Sequence, residues 1–576
     1  MILSLHGGHN ASAALVEERD GRVVSWCVES ERIDRVKMSC GCERYDGEDF
    51  SPQAKSAWIR SHKRDLTFLA EHVLAEAGAG PDQIGQVVLS QNVEPERLPA
   101  WLAGKPVCRV PHHQAHAALS YYTSGFSDAL VIVCDGSGER LEEGFETQTA
   151  WSCEGGQMRQ ILGTYKRNTY QMGIGNAYEL YTYWLGYGYN GCGTTMALAS
   201  FDRGTPLAAD RLFRMSENGD VFLNPDLINV EEHVKRCGYQ KQGTMAYNQA
   251  HEAMLRSVPL PEGYRLRERG ETSVQPSFIR MAGDIQHGTE TAVLYYLDCA
   301  RKKAPHSRVC LSGGTFLNCN LNSRIRALPW VEDIHVPTAP GDGGLALGGA
   351  LAVYFSDHPL CPVEPTVYIG SRVKPVLLSE GDSLTARRLT DRYETAAELL
   401  AQGRLVGWCQ GRAEFGPRAL GHRSLLADPG RTETPDRINA RLKHREDFRP
   451  FAPAVLEERF SDCFEGEMPI PFMLETRQVR PAWRERIPAV CHVDGSARVQ
   501  VVSEKNCPEF YRLLKAFEKR TGLPVLVNTS LNRNGEPIVD SAEDALRILR
   551  KGMLDCLIVE DVYYGRKEEG AEDGKE

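Results

Sequence analysis

The stretch "ALVIVCDGSGERL" (residues 129–141) decides the fold class, because an apolar run ends abruptly in an acidic, glycine-rich turn. The run from Ala129 to Cys134 predicts a buried β-strand that delivers Asp135 into the turn. Units of the same kind lie at residues 1–16, 309–322 and 334–355. Four strand-to-glycine-turn units in this order predict a duplicated α/β architecture with a cleft between its halves.

A change of composition at residues 361–375 ("CPVEPTVYIGSRVKP") predicts a domain boundary. We expect a first α/β domain over residues 1–365, a second over 366–566 and a charged, disordered tail over 567–576. Within the second domain, "SAEDALRILRKG" (residues 541–552) predicts an amphipathic helix that Ser541 caps.

The composition excludes some classes of function. Of the 576 residues, 42% are hydrophobic and 25% are charged, as in an ordinary globular protein. The net charge of −10 argues against a general binder of nucleic acid or of anionic membranes. No apolar run reaches the ~18 residues of a membrane span. The start lacks a basic leader and the 17 cysteines are scattered without a C-x-x-C pair, so we expect a cytoplasmic location.

The stretch "VPHHQAHAALS" (residues 110–120) holds three of the 16 histidines. His112 and His116 share one face of a predicted helix and can therefore bind one metal ion together, whereas His113 points elsewhere. The alternative is a buried helix whose histidines are satisfied by backbone groups. The short pattern by itself favours that alternative.

Two aspartates supply the rest of a candidate metal shell. Asp135 and Asp342 each follow a predicted strand in a glycine-rich loop, from which a side chain can reach into the cleft of an α/β protein. Two imidazoles with two carboxylates suit Fe(II), Mn(II) or Zn(II) better than Ca(II). Capping of a turn or helix is the alternative role for each aspartate, and a capping aspartate can also be a ligand.

Residues 415–453 are rich in positive charge although the chain is acidic. Guanidinium groups match phosphate oxygens, so the region predicts a polyphosphate or acyl-phosphate pocket; a solvated basic face or an RNA patch is the alternative. The basic residues are Arg418, Arg423, Arg431, Arg437, Arg441, Lys443, Arg445 and Arg449. Arg498 and the stretch "NTSLN" (residues 528–532) can add anion and amide contacts.

Nine motifs lie in a characteristic order along the chain. They are "GGHNASAALV" (7–16), "ESERIDRVK" (29–37), "HHQAHAA" (112–118), "CDGSGE" (134–139), "LSGGTFLNC" (311–319), "PGDGGLALGGA" (340–350), "FGPRALGHRS" (415–424), "FRPFAP" (448–453) and "NTSLN". As a set they resemble the O-carbamoyltransferase family of the NodU/CmcH type over nearly the whole chain. The family implies an N-terminal TsaD-like domain of the actin/hexokinase type and a C-terminal YrdC-like domain. It also implies that ATP and carbamoyl phosphate form carbamoyladenylate with release of pyrophosphate, and that the carbamoyl group then passes to an acceptor hydroxyl.

Matched residue by residue, the resemblance implies roles in both domains. The implied metal ligands are His112, His116, Asp135 and Asp342, with iron as the metal and Mg accompanying ATP. The implied carbamoyl phosphate and adenylate site comprises Arg418, Lys443, Arg445, Arg449, Arg498, Asn528, Ser530 and Asn532. The implied nucleotide-binding loops contain Gly136, Gly138, Gly313, Gly314 and Asn318. Lys37 occupies the family's basic position after its E-x-E-R run.

Two departures from the family pattern affect the transfer step. Relatives read G-H-D in the first loop, whereas this chain has Gly8, His9 and Asn10. Asparagine cannot be a general base, so His9 becomes the candidate base and Asn10 an acceptor-binding residue; a histidine that only orients its loop is the equal alternative. Relatives also carry E-G-K before Met196, where this chain reads "CGTT" (192–195), which leaves the acceptor and nucleotide contacts of that loop open.

Together these features predict an ATP-dependent O-carbamoyltransferase that acts on a small hydroxylated natural product. A tRNA threonylcarbamoyl-transfer protein is an alternative that the acidic charge weakens. An actin-like ATP-binding switch is another, but it leaves the His/Asp shell and the arginines without a role. We expect no nucleic-acid or membrane partner, and the oligomeric state stays open. Residues 167–193 are rich in tyrosine and glycine and are a candidate acceptor pocket, although their spacing favours a helix core.

Overall fold

The computed structural model describes residues 1–49, 52–90, 93, 98–188, 190–239, 249–268 and 270–567. The chain divides into two compact units. Unit 1 comprises Met1–Asp34 and Met38–Thr366, and unit 2 comprises Arg35–Lys37 and Val367–Glu576. Residues 568–576 of the predicted tail lie outside the described residues. Within the described ranges, no helix combines the length and the apolar character that crossing a membrane requires.

Unit 1 is built on two five-stranded sheets. The first consists of β1 (Ile2–His6), β2 (Ser12–Arg19), β3 (Arg22–Glu29), β4 (Gln86–Leu89) and β5 (Val107–Arg109). The second begins with β6 (Asp128–Cys134), β7 (Phe145–Glu154) and β8 (Gln157–Lys166). A separate pair follows, β9 (Phe213–Met215) with β10 (Val221–Leu223). The strands β11 (Arg308–Ser312) and β12 (Asp333–His335) complete the second sheet.

The two sheets of unit 1 repeat one topology. Their strand orders are β3-β2-β1-β4-β5 and β8-β7-β6-β11-β12. In each sheet three antiparallel strands are followed by two strands in parallel pairing. The β2–β3 connection is a two-residue turn in which Asp20 and Gly21 both have positive φ, as the twist of a tight hairpin requires. The mixed α/β class is therefore confirmed, with a sheet that occurs twice.

Twelve helices of unit 1 cover and connect these sheets in the described part of the chain. They are α1 (Ser30–Asp34), α2 (Pro52–Ser61), α3 (Thr67–Ala77), α4 (His112–Ser124), α5 (Ile174–Trp184), α6 (Cys192–Ala199), α7 (Ala209–Leu212), α8 (Val230–Cys237), α9 (Gln249–Arg256), α10 (Pro276–Lys303), α11 (Cys319–Arg326) and α12 (Leu345–Asp357). α12 packs on the first sheet, α4 packs on the second, and the two helices pack against each other. A Cβ at Gly348 would lie 2.0 Å from the carbonyl oxygen of Ala115, so glycine permits the close helix crossing.

Unit 2 is an eight-stranded mixed sheet with helices on both faces. Its strands, in the order in which they lie in the sheet, are β13 (Leu384–Arg388), β22 (Val562–Arg566), β21 (Cys556–Val559), β14 (Val406–Cys409), β15 (Arg423–Ala427), β20 (Val525–Ser530), β16 (Ala452–Leu456) and β19 (Gln500–Val502). The strands β17 (Thr476–Gln478) and β18 (Ser496–Arg498) form a separate pair. The helices are α13 (Arg392–Ala401), α14 (Thr434–Ile438), α15 (Phe460–Cys463), α16 (Pro481–Arg484), α17 (Pro508–Thr521) and α18 (Ala542–Arg550).

The predicted capped helix near the C-terminus is confirmed. The Ser541 side chain accepts a hydrogen bond from the backbone N–H of Asp544, whose carboxylate accepts from the N–H of Ser541 in return. This capping box fixes the start of α18. The apolar face of α18 is buried against the same core as β15, β20 and β21.

Candidate functional site

Four side chains of unit 1 meet at one point. α4 begins at His112, and His112 and His116 lie one turn apart on its buried face. Asp135 directly follows β6, and Asp342 opens a short 3-10 helix (Asp342–Gly344) that leads into α12. The ligand atoms of these four residues all lie within 4.8 Å of one another. We call this group the His/Asp cluster.

The atoms of the His/Asp cluster face one another at close range. The Nε2 atoms of the two histidines are 3.2 Å apart. Asp135 Oδ2 lies 3.2 and 4.0 Å from these two nitrogens, and Asp342 Oδ1 lies 3.6 and 3.5 Å from them. Two nitrogen lone pairs at this distance repel unless a proton or a cation lies between them. The donor set fits a divalent first-row metal, since Mn, Fe and Zn accept both imidazole and carboxylate.

Hydrogen bonds orient the side chains of the His/Asp cluster, and the charges within the cluster shift the pKa values of its members. Ser312 Oγ lies 3.3 Å from His116 Nδ1, and the backbone N–H of Gly314 donates to Asp135 Oδ1 at 3.3 Å. Burial lowers the pKa of His112, but Asp342 and Asp135 outweigh it and raise that pKa to about 9. Burial and Asp342 act to raise the pKa of Asp135, yet the two imidazoles lower it to about 2. Each charge thus stabilises its opposite, so a metal cation can take the place of the imidazole protons.

His113 faces away from the cluster. Its Nδ1 lies 2.9 Å from Thr149 Oγ1 on β7, and its backbone N–H donates to Glu146 Oε2 at 3.3 Å. Burial holds the pKa of His113 well below its usual value, so the ring is neutral. His113 therefore joins α4 to β7 and leaves the other two histidines to the cluster.

The predicted glycine loops border Asp135. Gly313 has a φ of +98°, and a Cβ there would lie 2.2 Å from the carbonyl oxygen of Cys134, so only glycine fits. The carbonyl of Gly136 accepts a hydrogen bond from Lys166 Nζ at 3.1 Å. Gly138 lies further off, where its N–H donates to the carbonyl of Glu146 at 2.8 Å.

Asn318 lies beyond this loop, at the start of α11. Its side chain accepts from the backbone N–H of Leu321 at 3.2 Å and so caps the helix. The same amide exchanges hydrogen bonds with Gln286 on α10, at 2.9 and 3.1 Å. Two amides that face each other in this way leave Asn318 with a defined orientation at the edge of the site.

His9 and Asn10 form the turn between β1 and β2. His9 Nε2 lies 3.2 Å from Asp342 Oδ2, and its Nδ1 lies 3.1 Å from Asn10 Oδ1. Asn10 has a φ of +62°, a left-handed conformation that asparagine adopts more readily than most residues. The structure thus brings both residues to the His/Asp cluster. Lys37 belongs to unit 2.

Sequence reasoning missed three polar residues near the loop of Asp135 and on α5. Lys166 is fully buried, and its Nζ donates to Asn176 Oδ1 at 2.8 Å and to Gly136 O. Asn176 and Glu179 belong to α5, within the tyrosine-rich stretch. The helix-core interpretation is confirmed for the aromatic residues of α5, which are buried. The polar residues between them carried no signal, because their partners come from β8 and from loops distant in sequence.

The second site lies in unit 2, around Lys443. A five-residue π-helical segment, Asn439–Lys443, follows α14 and ends at His444, which has a φ of +40°. π-helical turns are rare and often lie at functional sites. Lys443 is buried, and its Nζ donates to Ser530 Oγ at 3.1 Å and to Asn532 Oδ1 at 2.7 Å. Lys443 therefore contacts Ser530 and Asn532 of the "NTSLN" motif directly.

Further cations crowd around Lys443. Burial, Arg445, Lys37 and Arg449 together hold the pKa of Lys443 well below its usual value. Burial, Arg449 and Arg498 do the same to the pKa of Arg445. The guanidinium of Arg445 lies 4.4 Å over the ring of Phe451, and its Nε has no hydrogen-bond partner among the described residues. Lys443, Arg445, Arg449 and Arg498 form what we call the cation cluster.

Arg418 lies in a loop that buried side chains hold in place. Oε1 of Glu414 accepts from the backbone N–H groups of Leu420, His422 and Arg423, at 2.7 to 3.0 Å. Asn528 Nδ2 donates to the carbonyl of Ala419 at 3.2 Å and to Gln500 Oε1 at 2.6 Å. Asn528 Oδ1 is buried and has no hydrogen-bond partner in the described part of the chain. Glu414 and Gln500 were not predicted, because their partners are backbone groups and one side chain that lie far from them in sequence or carry no pattern.

Half of the arginine-rich stretch is structural. Arg423 is fully buried and donates to the carbonyls of Gln410, Ser371 and Asp540. Arg437 and Arg441 bind the carboxylate of Asp555, and Arg431 binds Asp428. The excess of positive charge in the sequence therefore divides into four residues that support the fold, three residues of the cation cluster, and Arg418 in its separate loop.

Comparison with known proteins identifies the family of the chain. The family model described as "Carbamoyltransferase N-terminus" matches residues 52–351, and "Carbamoyltransferase C-terminus" matches residues 397–566. The chain belongs to the carbamoyltransferase family. This carbamoyltransferase is 35% identical to nodulation protein NolO of Bradyrhizobium diazoefficiens over 78% of this chain and 77% of that protein. It is 38% identical to the 3'-hydroxymethylcephem-O-carbamoyltransferase of Amycolatopsis lactamdurans over 49% of this chain and 53% of that enzyme.

Among solved structures, full-length HypF in its phosphate- and nucleotide-bound form aligns with 61% of this chain and 55% of that chain, at 15% identity and a TM-score of 0.32. That likeness is too weak to bear on function. The sequence relatives establish that the protein is an enzyme that transfers carbamoyl groups, and they favour neither the tRNA-modifying nor the actin-like alternative.

Proposed function

We propose that this carbamoyltransferase is ATP-dependent and acts in two steps. In unit 2, assigned here to the YrdC-like type, ATP and carbamoyl phosphate form carbamoyladenylate. In unit 1, assigned to the TsaD-like type, the carbamoyl group passes to a hydroxyl of a small acceptor. The cation cluster carries the proposal, because buried cations that repel one another are stabilised when a polyanion binds among them. Family membership supplies the carbamoyl group.

Activation uses the residues around the cation cluster. Water first hydrolyses carbamoyl phosphate to carbamate and inorganic phosphate. An oxygen of the carbamate then attacks the α-phosphorus of ATP, and pyrophosphate departs. Arg418, Arg445, Arg449 and Arg498 bind phosphate oxygens. Lys443 is oriented by Ser530 and Asn532, and with Lys37 it balances the charge at the α-phosphate. Asn528 Oδ1 is free to accept a hydrogen bond from the carbamoyl amide.

Transfer uses the residues around the His/Asp cluster. A divalent cation held by His112, His116, Asp135 and Asp342 would act as a Lewis acid on the carbamoyl group. The resemblance names Fe(II), and the donor set equally suits Mn(II) or Zn(II). Gly136, Gly138, Gly313, Gly314 and Asn318 bind the nucleotide part of the adenylate. Asn10 binds the acceptor, and His9 contacts the reacting groups.

The acceptor is a small hydroxylated metabolite of natural-product biosynthesis. The relatives known as 3'-hydroxymethylcephem-O-carbamoyltransferases, whose name specifies a hydroxymethyl acceptor, support this class. All 17 cysteines are free thiols, which supports a cytoplasmic location.

The test needs no acceptor. Purified protein is mixed with ATP and carbamoyl phosphate, pyrophosphate release is followed, and mass spectrometry detects carbamoyladenylate or AMP. We expect pyrophosphate release that depends on carbamoyl phosphate and is lost in Lys443→Ala and Arg498→Ala. Arg388→Ala is the matched control, because Arg388 is an exposed arginine of β13 in the same unit. ATP hydrolysis to ADP that ignores carbamoyl phosphate would contradict the proposal.

A further inference from the structure

The two proposed steps leave one buried carboxyl group of α5 unused. Glu179 lies in the middle of α5. Its Oε1 atom is closed to solvent and has no hydrogen-bond partner among the described residues. Buried polar atoms in native proteins nearly always have a partner, so an unsatisfied carboxyl oxygen beside a reaction site points to a donor that arrives with the substrate.

The packing of α5 directs this carboxyl group towards Asp135. Gly175 lies so close to the loop after β6 that a Cβ there would be 3.0 Å from the backbone of Asp135 and Gly136. Glu179 follows one turn later on the same face of the helix. Helical side chains lean towards the N-terminus of their helix, which is the end that meets this loop. The carboxyl group of Glu179 therefore lies over the turn that contains Gly175.

Two hydrogen bonds hold α5 in this position. Lys166 Nζ donates to Asn176 Oδ1 at 2.8 Å and to the carbonyl of Gly136 at 3.1 Å. A single buried ammonium thus joins the first turn of α5 to the loop of Asp135. Lys166 is fully buried at the end of β8, so this link is shielded from solvent.

His9 is a neighbour both of Glu179 and of the His/Asp cluster. It contributes to the electrostatic surroundings of the Glu179 carboxyl group, and His9 Nε2 lies 3.2 Å from Asp342 Oδ2. Both ring nitrogens of His9 face oxygen atoms, Nε2 that of Asp342 and Nδ1 that of Asn10 at 3.1 Å. Both ring nitrogens of His9 are therefore engaged by side chains of the protein itself.

The electrostatic surroundings of Glu179 suit proton transfer at neutral pH. Burial raises the pKa of Glu179 to about 7, although Tyr183, Lys166 and His9 act to lower it. The ionisable groups that face it are Lys166 from β8, His9 from the β1–β2 turn, Tyr183 from α5 itself and Cys192 at the start of α6. General bases are most effective when their pKa lies near the working pH.

We infer that Glu179 is the general base that takes the proton from the acceptor hydroxyl during carbamoyl transfer. The inference rests on the proposed function. The acceptor oxygen forms a bond to the carbamoyl carbon, the bond from that carbon to the AMP oxygen breaks, and AMP leaves with the electron pair. The proton of the hydroxyl goes to Oε1 of Glu179. His9 remains a donor that holds the transferring group in place.

The test separates activation from transfer in Glu179→Gln. The wild type and the variant receive ATP and carbamoyl phosphate, with a 3'-hydroxymethylcephem or water as the acceptor. Carbamoyl-phosphate-dependent pyrophosphate release reports activation, and loss of carbamoyladenylate to AMP reports transfer. We expect single-turnover transfer to fall by about 100-fold or more, the usual effect of a lost general base, with the first pyrophosphate burst unchanged. Glu231→Gln, on the exposed surface of α8, is the matched control and should leave both steps unchanged.

The pH profile distinguishes a base from a merely structural carboxyl group. Transfer by the wild type should rise between pH 6 and 8 with a midpoint near the carboxyl pKa of about 7, whereas the glutamine variant should be slow and flat. Glu179→Asp, which keeps the carboxyl group on a shorter side chain, should recover at least tenfold over the glutamine variant. A ¹³C-glutamate signal that titrates near neutral pH should disappear in Glu179→Gln.

Each outcome has a defined meaning. Transfer in Glu179→Gln within threefold of the wild type, or titration of the Glu179 signal below pH 5, overturns the inference and leaves the proposed function intact. If the wild type releases no carbamoyl-phosphate-dependent pyrophosphate, the proposed function falls and the inference falls with it. If activation occurs and neither acceptor reacts measurably, the ¹³C titration decides: a Glu179 signal that titrates near neutral pH supports the inference, and one that titrates below pH 5 overturns it.

Discussion

The His/Asp cluster and the cation cluster solve opposite electrostatic problems. In the first, two imidazoles and two carboxylates stabilise each other's charged forms, as the raised pKa of His112 and the lowered pKa of Asp135 record. In the second, burial and like charges disfavour the charged forms, as the lowered pKa values of Lys443 and Arg445 record. A self-balanced cluster accepts a cation in exchange for protons, whereas an unbalanced one is completed by an anion. The difference predicts how each site responds to perturbation.

Metal removal should abolish the activity of the His/Asp cluster and leave that of the cation cluster unchanged. Treatment with o-phenanthroline, which leaves Mg²⁺ in place for ATP, should lower carbamoyl transfer by about 10³-fold, since Lewis-acid stabilisation amounts to several kcal/mol. Pyrophosphate release should persist. The measurement is elemental analysis of the protein together with both rates. Equal loss of the two activities would mean that the clusters do not have separate roles.

Removing one cation should weaken substrate binding while it stabilises the free protein. Arg445→Met keeps contact with Phe451 and deletes a repelled charge, so we expect KM for ATP or carbamoyl phosphate to rise about 10- to 100-fold, the effect of a lost charge-assisted hydrogen bond, and Tm to rise. Arg441→Met is the matched control. Arg441 binds Asp555 and the carbonyl of Gly552, both at 2.7 Å, so its loss should lower Tm and leave KM unchanged. A fall in Tm for both variants would show that Arg445 is structural.

Anion binding should be accompanied by proton uptake. In the free protein, burial and the neighbouring cations hold the pKa of Lys443 well below its usual value. A bound phosphate favours the ammonium form and raises that pKa, so Lys443 should contribute proton uptake to binding. Calorimetric titration with pyrophosphate in two buffers of different ionisation enthalpy measures the number of protons exchanged, and Lys443→Met gives the protons that pyrophosphate itself exchanges. Uptake by the wild type that does not exceed this baseline would contradict the prediction.

The smallest effect is expected at Asn10. Its φ of +62° costs an ordinary residue about 1–2 kcal/mol, so Asn10→Ala should lower the free energy of unfolding of unit 1 by roughly 1 kcal/mol. Asn10→Gly should restore it, because glycine adopts this conformation without a steric penalty. Thermal denaturation of the three proteins checks the order. If Asn10→Ala is as stable as the wild type, the left-handed turn does not determine the residue at this position.

What the sequence predicted depended on how local the signals were. The strands before Asp135 and Asp342 and the histidine spacing of α4 are local patterns, so the meeting of these residues could be anticipated. The roles assigned to them remain predictions. Glu179 could not be anticipated, because its neighbours His9 and Lys166 come from distant segments and its helix looks like an apolar core. The same holds for Arg423, whose partners are carbonyl groups that no sequence pattern marks.

The repeated sheet of unit 1 gives its centre a hidden pseudo-symmetry. His9 follows β1 as Asp135 follows β6, and the helix after β5 opens with His112 as the segment after β12 opens with Asp342. Every nitrogen therefore comes from one repeat and every oxygen from the other. α4 packs on the second sheet and α12 on the first, so the four side chains lie where the two repeats meet. A cation bound by all four would therefore join the two repeats, and its loss should loosen the contact between the two sheets.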